Sequence, residues 1–91
     1  MKTLDLAYRE VDPQLDLETF CDSRGLHLSG PHRLASYPGS SHWHISRPGL
    51  SGVLEVTWWP QRERFWLKVA SNRDAVWIEE VSLAFRDGFW G

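Results

Sequence analysis

Two histidines one residue apart, His42 and His44, are the clearest place in this 91-residue chain where side chains could do chemistry. They lie in the run His42-Trp43-His44-Ile45. Successive side chains of a β-strand point to opposite faces, so a strand here sets both imidazoles on one face and Trp43 and Ile45 on the other. Neutral imidazole is a ligand for zinc and neighbouring transition metals, and such a pair supplies two ligands at once. Glu55 points to the same face of the next strand, and His32 is near enough in sequence to reach the pair from the strand before. The spacing names a divalent-metal site at His42, His44 and Glu55, with His32 as a further donor. The plainer reading is a pair of solvated histidines, and on spacing alone it outweighs the metal.

Other chemistry is sparse. There is no nucleophile elbow, phosphate-binding glycine loop or kinase-type motif. Gly49 and Gly52 flank Leu50-Ser51 without the strand–loop–helix context of a phosphate cradle. Glu79-Glu80 reads as a solvated helix face. Cys21 is the single cysteine, which excludes an internal disulfide. It falls on an apolar stripe and reads as a small buried hydrophobe. No residue is named as catalytic and no organic cofactor is implied. A chain this short has little room for a pocket, so a non-catalytic binding module is expected.

The aromatic residues suggest what such a module would bind. Six tryptophans are present. Residues 52–70 read as a β-hairpin in which Leu54, Val56 and Trp58, with Phe65, Leu67 and Val69, form the core face. Glu55, Thr57 and Trp59 face outward, with Trp66, Lys68 and Ala70. A turn within Gln61–Arg64 pairs Trp58 with Leu67, Val56 with Val69 and Trp59 with Trp66, and puts Lys68 opposite Thr57. Pro60, which has no N–H to donate, belongs at a strand end. The outer face would then present Trp59 and Trp66 side by side. Trp and Arg anchor protein interfaces. The leading expectation is therefore a protein partner or a second copy of the chain (a homodimer), bound through Trp59, Trp66, Lys68, Arg62, Arg64 and the tail residues Phe89 and Trp90. Nucleic acid is the alternative and a divalent metal the third reading.

Charge bears on that choice. The net charge is −2, but it is segregated. Residues 1–24 carry six acids against three bases, residues 25–73 six bases against two acids, and residues 74–91 four acids against one base. All four histidines lie in the basic middle. A basic sheet could take phosphate, but the acidic flanks and the few lysines oppose it. No run of about 18 apolar residues is present, so no membrane span is expected. The opening Met-Lys-Thr-Leu-Asp-Leu carries acid where a signal peptide is apolar, which points to a cytoplasmic protein.

These residues need elements to position them. A chain of this length makes a single domain, residues 1–91. Residues 1–11 fit an extended arm or strand through the alternation of Leu4, Leu6 and Tyr8, although Leu4, Ala7, Tyr8 and Val11 also fit a helical stripe. Asp12-Pro13 opens a helix over residues 13–24, with Leu17, Phe20, Cys21 and Arg24 on one stripe and Gly25 as its stop. Gly30-Pro31 reads as a turn before a short strand, and Pro38-Gly39 as another turn. After the hairpin, Asp74 caps a second helix with Trp77, Ile78, Val81, Ala84 and Phe85 on its inner side, and Gly88 ends it. The expected fold is α+β, a two-layer sandwich with the order helix, three- or four-stranded antiparallel sheet, helix.

Overall fold

The computed structural model describes residues 3–69 and 75–90. The order is β1 (Thr3–Leu6), α1 (Gln14–Arg24), β2 (His27–His32), β3 (Ser41–Ser46), β4 (Leu54–Trp59), β5 (Arg64–Val69) and α2 (Val76–Phe85). The five strands make one antiparallel sheet in the order β1-β5-β4-β3-β2. The class is α+β, as expected, but the sheet has five strands rather than three or four, and a strand precedes the first helix. α1 takes the chain from one edge of the sheet to the other. The chain then meanders back until β5 lies beside β1.

The first added strand resolves a sequence ambiguity. Residues 3–11 fit both a two-residue and a helical period. Edge pairing with β5 decides the outcome, matching Thr3 with Lys68, Leu4 with Leu67, Asp5 with Trp66 and Leu6 with Phe65. Asp5 also meets Arg64 across this pair at 3.2 Å. Gly30-Pro31 lies inside β2 rather than in a turn before a strand.

α1 starts where the local chemistry places it. The Gln14 N–H donates to Asp12 Oδ1 at 2.9 Å, so Asp12 satisfies one of the amides left open at a helix start. Gly25 ends the helix at φ 66°, a left-handed conformation that costs glycine little. The expected cap of α2, Asp74, lies outside the described residues, as do the turn Ser71-Asn72-Arg73 and Ala70. Gly88 does not end the helical path. The chain continues through a wider π-type turn, Arg86–Trp90, which delivers Trp90 into the core.

The core lies on one face of the sheet. Leu17, Phe20 and Cys21 of α1 and Trp77, Ile78, Val81 and Phe85 of α2 join Trp43, Ile45, Leu54, Val56, Phe65, Leu67 and Val69 in a single cluster. Alternation along β3, β4 and β5 therefore sorts as expected, with Trp58 half-buried against the cluster and the other named core residues of these strands inside it. Burial pushes the Cys21 thiol pKa up to about 11, with Asp22 adding to the rise. This leaves no reactive thiolate near neutral pH.

The hairpin register differs from expectation by two residues. Trp58 pairs with Phe65, Val56 with Leu67, Thr57 with Trp66, Glu55 with Lys68 and Trp59 with Arg64. The cause is the turn. Pro60 opens a 3-10 turn over Pro60–Arg62, and Glu63 takes the left-handed conformation at φ 50°. The four-residue connection is therefore Pro60–Glu63, one residue earlier than expected, and Arg64 is a strand residue. A shift of two leaves every side chain on its predicted face, which is why the core pattern survives.

Candidate metal centre

The outward faces of the strands form a grid. One row runs Lys68, Glu55, His44, Ser29 across β5, β4, β3 and β2. The next runs Trp66, Thr57, His42, His32. Strand alternation explains why these residues share a face, and pairing of β3 with β4 explains why Glu55 comes to lie beside His44.

Within this grid His42, His44 and Glu55 converge. One potential ligand atom from each lies within 4.8 Å of the others. His42 Nε2 is 3.2 Å from His44 Nε2 and 3.2 Å from Glu55 Oε1. His42 is only 4% exposed, whereas His44 is exposed and Glu55 half-buried. The cluster is thus anchored in the protein and reachable from solvent.

Thr57 completes the environment of His42. Its Oγ1 is 2.8 Å from His42 Nδ1. A hydroxyl both donates and accepts, so Thr57 can hold either imidazole tautomer. When it accepts from Nδ1–H, the Nε2 lone pair faces His44 and Glu55. Burial pushes the His42 pKa below its ordinary value, the Glu55 carboxylate opposes this, and His44 and His32 push it down further. Neutral imidazole is the form that ligates metal.

The residues expected to bind a partner are placed differently. Trp66 is 6% exposed, and Trp59 is half-buried. Tyr37, from the loop between β2 and β3, packs edge-on against both, with ring centres 5.0 Å from Trp59 and 5.5 Å from Trp66. Trp59 Nε1 donates to the Pro38 carbonyl at 2.8 Å, and Arg33 donates to the Ser40 carbonyl at 3.0 Å, which fastens both ends of that loop. The aromatic pair is therefore not an open platform. Arg62 and Arg64 lie over the Trp59 and Trp66 rings. Lys68 is exposed and faces Glu55. Trp90 is 1% exposed in the core, and Phe89 stands beside Phe20 at the core's margin. The apolar tail docks on its own domain.

Sequence reasoning missed Thr57 as the partner of His42 and Tyr37 as a cover. Thr57 was legible, since it shares a face with Glu55 one alternation away. Nothing in the loop sequence indicated that Tyr37 would fold back over the sheet.

Comparison with protein-family models, curated proteins and solved structures finds no match. Function is therefore a question for the chemistry of the site itself.

Proposed function

We propose that this protein is a metal-binding module that holds a divalent transition-metal ion at His42, His44 and Glu55. The observation that carries the reading is the approach of His44 Nε2 and Glu55 Oε1 to within 3.2 Å of His42 Nε2. Two donors bound to one tetrahedral ion at about 2.0–2.1 Å stand about 3.3 Å apart, so the two spacings to His42 already suit zinc, and the third, between His44 and Glu55, would close from within 4.8 Å. Two imidazoles and a carboxylate make a borderline donor set suited to zinc, iron or cobalt rather than calcium or magnesium. The carboxylate leaves one positive charge on the bound ion. Thr57 would hold the outer nitrogen of His42, the kind of support that fixes a ligand's tautomer and ring orientation.

The metal reading rises above partner binding through an aromatic platform because Trp59 and Trp66 already serve as a floor for Tyr37. The test is titration with zinc, and with cobalt(II) for its visible absorption, by calorimetry and equilibrium dialysis. One ion per chain is expected. His44→Ala, at an exposed position, should lose at least about tenfold in affinity with the fold intact by circular dichroism. Full-affinity binding by a His42→Ala/His44→Ala double variant, or no binding by the parent chain, would sink the proposal.

A further inference from the structure

We propose that His32 is a fourth ligand, so that the bound ion is enclosed by three imidazoles and one carboxylate and has no open position for water. This rests on the metal reading above and decides what kind of metal site it is.

A bulge in β2 sets the position of His32. Pairing with β3 matches Ser29 with His44 but His32 with His42, so the register shifts between these two points. Without that shift Pro31 would stand opposite His42. One extra residue in β2 brings His32 there instead, which is the ordinary effect of a β-bulge in re-aiming a side chain. Gly30 permits it. Its φ is +125°, and a Cβ built there would come within 2.7 Å of the His42 carbonyl oxygen and 3.0 Å of Trp43 Cδ1. Only glycine lets the strand pass so close to β3.

His42 and His32 each stand beside His44 at the ring spacing that a shared ion sets. Two imidazoles bound through nitrogen to one tetrahedral metal have ring centres about 5.2 Å apart, given bonds of about 2.0–2.1 Å. The His42 and His44 centres are 5.0 Å apart, and the His32 and His44 centres 5.3 Å apart. His32 Nε2 lies 3.0 Å from Ser29 Oγ, at an exposed position. That is a surface hydrogen bond, one that solvent can replace when the ring turns from Ser29 towards the ion. His32 itself is exposed, and the ring it stands beside is that of His44.

Four protein ligands would saturate a tetrahedral ion. Closed sites of this kind hold or sense metal, whereas catalytic zinc keeps one position for water. The chain would then bind its ion without hydrolytic chemistry.

X-ray absorption of the zinc-loaded chain counts imidazoles directly, and water-proton relaxation of the cobalt(II)-loaded chain reports exchangeable water. The expected result is three imidazoles and no exchangeable water in the parent. His32→Ala should show two imidazoles, gain exchangeable water and bind more than about tenfold more weakly. Added imidazole should restore the three-imidazole signature to that variant. Two imidazoles in the parent, with wild-type affinity in His32→Ala, would overturn the fourth ligand and leave the three-residue site standing. No metal bound by the parent would overturn both.

Discussion

His42 is a polar side chain placed where charge is costly, and the residues around it follow from that. Desolvation lowers its pKa, which favours the neutral ring that a metal ligand must be. Thr57 and Glu55 then occupy its two nitrogens. Cys21 experiences the same desolvation with the opposite sign of shift, because the charged form of a thiol is the deprotonated one. Its pKa rises from 9.0 unfolded to about 11 folded. The folded chain keeps this proton longer, so the contribution to stability is complete below pH 9.0 and is lost as pH rises through about 11. Urea unfolding across this window should show stability falling more steeply in the parent than in Cys21→Ala. Identical slopes would mean that the buried thiol is not the titrating group.

At the scale of elements, the outer face of the sheet is divided between two uses. The end carrying Trp59 and Trp66 is covered by the loop between β2 and β3, while the stretch carrying His44 and Glu55 remains reachable. Tyr37 is the side chain of that loop that packs on both rings. Its two edge-to-face pairs are worth about 1–3 kcal/mol together, from about 0.5–1.5 kcal/mol for each such pair. Tyr37→Ala should therefore destabilise the domain by about that amount and shift tryptophan emission to the red as Trp59 and Trp66 gain water. Unchanged emission would show that the loop stays in place without Tyr37. The β2 bulge is the second device at this scale. A strand in regular register would have presented Pro31, whose side chain has no donor atom for a metal, opposite His42.

For the whole molecule, tryptophan joins segments that secondary structure does not. Trp90 lies against Phe65 and Phe85, and its Nε1 donates to the Ala7 carbonyl at 2.7 Å. Arg9 stacks on the same ring and donates to the Trp90 carbonyl. Trp58 donates to the Arg9 carbonyl at 3.0 Å. The two ends of the described chain are thereby fastened to each other over the core. Trp90→Ala should cost about 3–5 kcal/mol, a large share of the roughly 5–15 kcal/mol that holds a small domain together. The shift in the urea midpoint measures this, and a loss under about 1 kcal/mol would show that the tail is not part of the core. No helix among the described residues is long and apolar enough to cross a membrane. The sequence by itself determined which faces are apolar, where α1 begins and ends, and that His42, His44 and Glu55 point the same way. Each of these follows from a local period or a local hydrogen bond. Only the tertiary structure decided the pairing of β1 with β5, the two-residue register of the hairpin, the path of Tyr37 and the approach of His32. These depend on which strand edges meet and where a turn or bulge adds a residue. Alternation constrains a register only to its parity, so sequence could place His42, His44 and Glu55 on one face but could not bring His42 to 3.2 Å from each of the other two.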